Sequence, residues 1–194
     1  MNRRYIRCQM AGDGEPTYGV LEDDHVIGLT RAAWQEGKET PRVEELRVCK
    51  LLAPVEPSKI VCIGLNYHAH VAASFSADKA PEYPLIFLKP PSAVINPGDY
   101  IVHPTVSERV DYEAELGVVI GKTATRIPVD RAERYIFGFT CVNAVTARDL
   151  QKTDGQWSRA KGFDTFCPVG PWIVTELPYS DLLVEAVHNG AVTQ

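Results

Sequence analysis

Asp111-Tyr112-Glu113-Ala114-Glu115-Leu116-Gly117-Val118-Val119-Ile120-Gly121 is the stretch on which the fold turns. Tyr112, Ala114, Leu116, Val118 and Ile120 recur at every second position, and side chains of a strand point alternately to its two faces. The pattern predicts a strand with that row on one side. Glu113 and Glu115 then share the other side, their Cα atoms about 6.6–7 Å apart. Two carboxylates at that spacing suit one hard divalent cation, because oxygen ligands are what Mg²⁺ and Ca²⁺ take. A half-buried strand with a wet face carries the same pattern, so the motif alone leaves both readings open.

Working outward, residues 128–135 read as a helix opened by Pro128 and Asp130, and residues 137–145 as another strand. Thr146-Ala147-Arg148-Asp149 has capping-box spacing and predicts a short helix. The following residues, through Asp164, are dense in polar side chains. Among them Arg148 could hold a carboxylate by a bidentate fork and Lys161 as a point charge; a solvated loop with an N-cap is the other reading. Upstream, residues 59–64 predict a short buried strand and residues 84–90 a second apolar strand fenced by prolines, with Lys89 facing a pocket. Gly64-Leu65-Asn66-Tyr67-His68-Ala69-His70 follows the first of these. Loops on rigid elements often carry chemistry, and histidine moves protons near neutral pH, although a surface loop with chance histidines also fits. Asn96-Pro97-Gly98-Asp99 is a turn.

Residues 1–54 read as a separate small β-rich unit, with a hairpin around Glu22-Asp23-Asp24 and a short helix over 44–51. Ala53-Pro54-Val55-Glu56-Pro57 reads as its linker to a second unit over 58–194. Strands do not alternate regularly with helices, so a doubly wound parallel sheet is disfavoured and a mixed α/β, β-rich fold is expected. Residues 183–194 predict a hairpin about Asn189-Gly190. Its second strand stops after about four residues, and this predicts that the chain is a fragment of a larger domain.

The 194 residues are 45% hydrophobic and 23% charged, ordinary for a globular protein. A net charge of −5 argues against a nucleic-acid partner, which favours a basic patch. No apolar run approaches the ~20 residues that cross a bilayer, and no apolar segment follows the basic N-terminus as a secretory signal would require. The five cysteines are odd in number and contain no C-x-x-C pair. The sequence therefore predicts neither a disulfide framework nor structural zinc, and a reducing, cytoplasmic compartment.

Five blocks in order resemble the fumarylacetoacetate hydrolase family. They are Ile60-Val61-Cys62-Ile63-Gly64-Leu65-Asn66-Tyr67-His68-Ala69-His70, Phe87-Leu88-Lys89-Pro90, Val110-Asp111-Tyr112-Glu113-Ala114-Glu115-Leu116, Ala147-Arg148-Asp149-Leu150-Gln151 and Arg159-Ala160-Lys161-Gly162-Phe163-Asp164. The resemblance covers residues 58–194, and residues 1–54 are similar to the small N-terminal domain that many members carry. It implies a mixed β-roll, a homodimer, and metal-dependent hydrolysis, decarboxylation or tautomerisation of a diketo or 2-oxo acid. It implies Mg²⁺, with Mn²⁺ or Ca²⁺ as alternatives, on Glu113 and Glu115. It implies His70 as the catalytic histidine, and Tyr67, Lys89, Arg148, Gln151 and Lys161 on the substrate side. Three departures stand out. Ala144 occupies the place of a third metal carboxylate, Ala73 that of a lid glutamate, and the family's last strands and Thr-Gly-Thr-Pro type loop are absent. They keep open a second reading, a homologue that retains the fold without turnover.

Overall fold

A computed structural model of the chain describes residues 2–12, 14–66 and 81–194. The N-terminal strands are β1 (Arg4–Gln9), β2 (Pro16–Glu22), β3 (His25–Leu29), β4 (Glu39–Glu45) and β5 (Lys50–Leu52). β1 to β4 form antiparallel pairs in sequence order, and β5 returns against β1. The hairpin about residues 22–24 forms as expected, with Asp23 at φ 49°, a left-handed position that a short polar side chain tolerates. The helix expected over 44–51 is absent. The chain leaves β4 through a 3-10 turn at Leu46–Val48 and enters β5. The reason is tertiary: residues 7–9 of β1 offer ladder partners to residues 50–52, which a two-turn helix could not match on its own. Leu46, Cys49 and Leu51 then pack on the cluster of Ile6, Cys8, Met10, Leu21 and Val26.

β6 (Ile60–Gly64) and β7 (Leu85–Lys89) make an antiparallel ribbon. The buried strand expected over 59–64 is not found, because Ile60–Gly64 alternate between half-buried and exposed. Val61 lies opposite Leu88 and Ile63 opposite Ile86, and all four are exposed. The other face, with Cys62 opposite Phe87, looks toward the site. The 96–99 turn closes through Asp99 N–H to the Asn96 carbonyl (3.1 Å), with Gly98 at φ 85°, the positive φ that favours glycine. It follows β8 (Val94–Ile95), which runs parallel to β13 below.

The stretch 111–121 is not one strand. It splits into β9 (Val110–Asp111) and β10 (Ala114–Ile120). At the break the Glu113 N–H is taken by the Asn143 side-chain oxygen (3.0 Å), and the Glu113 carbonyl accepts from Ala144 N–H (2.8 Å). β10 then pairs with β11 (Ile136–Asn143), and β9 with β12 (Thr146–Ala147). Val118 and Ile120 are exposed, because β10 is an edge strand of the described sheet. Residues 129–135 form a 3-10 helix after Pro128. The short helix expected after Thr146 is α1 (Arg148–Thr153), but no side chain caps it, and the Thr146 hydroxyl is used elsewhere. α2 (Ser158–Lys161), β13 (Cys167–Val174) and the ribbon of β14 (Val187–His188) and β15 (Ala191–Val192) complete the order. Asn189 and Gly190 both have positive φ, as the expected two-residue turn requires.

The result is β-rich with few helical turns, as expected. The main sheet runs β10-β11-β13-β1-β2-β3-β4. β1 lies beside β13, so one sheet passes through both sequence units. Tyr5 and Trp34 of the first unit each pack on Phe137 of β11 at 5.2 Å between ring centroids. A separate cluster of Val145, Ala147, Leu150, Ala160 and Phe166 anchors β12, α1 and α2. These elements carry the polar groups described next.

Candidate active site

The break between β9 and β10 aims the Glu113 side chain inward, where it is 6% exposed. Its Oε2 accepts from Lys161 Nζ at 2.6 Å, and its Oε1 from Arg148 Nη2 at 2.7 Å. The Thr146 hydroxyl, 3.1 Å from Oε1 and 2.9 Å from the Ala144 carbonyl, shares its proton between them. Burial alone would raise the Glu113 carboxyl, but Lys161 and then Arg148 outweigh it and hold it below the ordinary glutamate value. Arg148 works on three sides, giving Nε to Asp111 (2.9 Å) and Nη1 to Gln151 (2.7 Å) as well. Gln151 lies one helical turn along α1, where i and i+3 side chains meet. Lys161 ends α2, buried, with its ammonium 4.9 Å from the Phe87 ring centroid and 5.9 Å from that of Trp157. Cation–π attraction of this kind favours a charged ammonium away from water.

Asp111 bridges two guanidiniums, taking Arg109 Nε on Oδ1 (3.0 Å) and Arg148 Nε on Oδ2. Burial raises its carboxyl, and the two arginines bring it below the usual aspartate range. Asp149 accepts from Ser107 Oγ (2.6 Å) and Glu108 N–H (2.9 Å), and these bonds push its pKa down to about 2. That ties the loop before β9 to α1. Beside this network lies a cavity of about 350 Å³, whose lining includes Arg109, Asp111, Tyr112, Glu113, Arg148 and Gln194.

The structure thus brings Glu113, Arg148, Gln151 and Lys161 together. Glu115 stands on β10 opposite Val142. Burial raises the Cys62 thiol, Lys89 and Lys161 lower it, and Glu115 and Glu113 raise it again, so one sulfur feels all four charges. Lys89 has a different role from the substrate contact expected of it. Its Nζ donates to the carbonyls of Val145 (3.0 Å), Lys161 (2.5 Å) and Phe166 (2.9 Å), and it is 2% exposed. An ammonium has three N–H groups, so none is left for a substrate. Burial lowers this pKa to about 8, and the three carbonyls suit the protonated form. Tyr67, His70 and Ala73 lie outside the described residues.

The divalent ion expected on Glu113 and Glu115 does not fit this donor set. Ala144, buried and hydrogen-bonded to Glu113, contributes a methyl where the resemblance places a third carboxylate. Both Glu113 oxygens already face cations. Among the described residues, no three His, Cys, Asp or Glu side chains converge as a metal site. Sequence reasoning missed Asp111, Asn143, Thr146 and Asp149 as members of this network. Asp111 was within the decisive stretch, but a regular strand gave it no special position. Asn143 and Thr146 matter because the backbone leaves the ladder between them, and nothing in the pattern announced that.

Comparison with known proteins matches residues 59–194 to the model of the fumarylacetoacetate (FAA) hydrolase C-terminal domain, and residues 3–54 to an Rv2993c-like N-terminal model. A Methanocaldococcus jannaschii protein is 54% identical over 72% of this chain and 58% of its own length. Oxaloacetate tautomerase YisK of Bacillus subtilis is 44% identical over 75% of this chain and 50% of its own length. The crystal structure of 5-carboxymethyl-2-hydroxymuconate delta-isomerase from Mycobacterium smegmatis superposes with a TM-score of 0.89 at 40% identity, covering 98% of this chain and 74% of that one. The chain spans about three-fifths of the length of the first curated relatives it matches.

Proposed function

Since this chain belongs to the fumarylacetoacetate hydrolase family, an enzyme family, we propose that it moves a proton between the keto and enol forms of a small 2-oxo or 1,3-diketo acid. The observation that carries the reading is the buried Glu113 carboxylate gripped by Lys161 and Arg148 beside an open polar cavity. Arg148, oriented by Asp111 and Gln151, takes the substrate carboxylate by its remaining N–H groups. Lys161, itself buried, stabilises the negative charge that grows on the enolate oxygen. His70, carried over from the resemblance, removes the proton from the carbon between the two carbonyls and returns one to oxygen; the same resemblance assigns Tyr67 to the substrate side. Decarboxylation and C–C hydrolysis pass through the same enolate. Tautomerisation is preferred here because the named tautomerase and delta-isomerase relatives carry out double-bond shifts by name.

The decisive assay follows decay of the enol absorbance of oxaloacetate in the presence of the protein. Lys161→Met should slow the protein-dependent rate by about 10²–10³, the usual cost of one oxyanion donor. Dependence on Mg²⁺ or Mn²⁺ is tested in the same assay by chelation and re-addition. The donor set leads us to expect an unchanged rate. Ala144 favours a second reading, a homologue that binds oxo acids without turnover, and a protein that binds oxalate but leaves the enol decay at the buffer rate would establish it. Assembly as a homodimer and a cytoplasmic location belong to the same proposal; light scattering tests the first. Among the described residues no helix is long and apolar enough to cross a membrane.

A further inference from the structure

We propose that Arg109 reads the distal carboxylate of a dicarboxylic oxo acid, so that Arg109 and Arg148 form a two-guanidinium clamp spaced by Asp111. This rests on the oxo-acid reading of the site. Both arginines line the same cavity, and each gives its Nε to a different oxygen of the one Asp111 carboxylate. Their separation is therefore set by one carboxylate and two hydrogen bonds. The Arg109 side chain is 65% exposed, and among the described residues its terminal nitrogens make no hydrogen bond. An ion pair this exposed contributes little to stability, so folding alone gives it no purpose.

The backbone beneath Arg109 is held far more firmly than its side chain needs. Arg109 N–H and Ser107 Oγ lie 3.3 Å apart, and Ser107 Oγ is also bonded to Asp149. The Arg109 carbonyl accepts from Arg148 N–H at 2.7 Å, which fixes it to the first residue of α1. An arginine with a fixed stem, an oriented Nε and open terminal nitrogens is preorganised for a carboxylate, which it takes in bidentate fashion. A cavity of about 350 Å³ is at the small end for ligand sites and suits a chain of four or five carbons.

The test is calorimetric titration of the full chain with two stable probes, pyruvate and 2-oxoglutarate, which differ by a distal carboxylate. The parent should bind 2-oxoglutarate at least tenfold more tightly than pyruvate. Arg109→Gln should lose that preference while still binding pyruvate, which also shows that the variant is folded. Arg109→Lys should retain part of the preference, as a point charge without the fork. A parent that binds pyruvate but shows no preference, or an Arg109→Gln variant that keeps it, overturns the role of Arg109 alone. A parent that binds neither probe overturns the oxo-acid reading together with it.

Discussion

Replacing Glu113 by Gln leaves Lys161 without its anion and Arg148 with one fewer, both in a setting poor in water. Removing one member of a buried ion pair costs about 3–5 kcal/mol, and urea unfolding at neutral pH should show a loss of that size. The pH dependence follows from the depressed carboxyl. Its stabilisation is complete above the ordinary glutamate value of 4.5 and drains away as acid carries the carboxylate through its lower folded value. Glu113→Gln should therefore flatten the stability profile below that value, and a profile with the parental slope would show that Glu113 is not what titrates. Ala144 supports a prediction of opposite sense. Ala144→Asp sets a carboxylate beside Glu113 and should create Mn²⁺ binding, seen calorimetrically, where the parent shows none. These residues also mark what was legible in advance. Glu113, the Arg148–Gln151 pair and Lys161 lay in three separate blocks, and the fold brings them together. That Glu113 would be spent on cations was not legible, because the pairing depends on a break in the strand that a period-two pattern cannot contain.

At the scale of elements, Lys89 shows how a strand end can organise a site without entering it. Its ammonium gathers carbonyls from the segment before β12, the last residue of α2 and the residue before β13. Lys89→Met keeps the length of the side chain and strands three buried acceptors, each worth about 1–3 kcal/mol when unsatisfied. A fall in thermal midpoint of more than about 10 °C is expected by calorimetry, since each kcal/mol shifts a domain of this size by a few degrees. A midpoint within a degree or two of the parent would mean that water replaces the ammonium. The hairpins about residues 22–24 and 189–190 were readable, because short polar or glycine turns between apolar runs have few solutions. The segment 44–51 was not: Leu46 and Cys49 satisfy a helical i, i+3 spacing as well as the path they take, and only the neighbouring edge of β1 decides between them.

Over the whole molecule, one sheet joins what the sequence divides. The β1–β13 pairing and the packing of Tyr5 and Trp34 on Phe137 bind residues before the proline-rich linker to those after it. The two units should therefore unfold together. Hydrogen exchange under mild urea should give amides of β1 and β13 the same opening free energy, and an early release of β1 would show that the units part first. Phe137→Ala should lower both sets by a common amount, smaller than the roughly 3–5 kcal/mol of a fully buried aromatic truncation because Phe137 is only half-buried.

The ribbon of β6 and β7 has a colloidal consequence. Val61, Ile63, Ile86 and Leu88 form a contiguous greasy strip, and such strips draw protein surfaces together. Excluded salts such as ammonium sulfate strengthen that attraction. In preparation, this chain should therefore salt out early and return to solution on dilution. Charged substitutions at Val61 and Ile86 should move its precipitation point without touching the polar network on the opposite face.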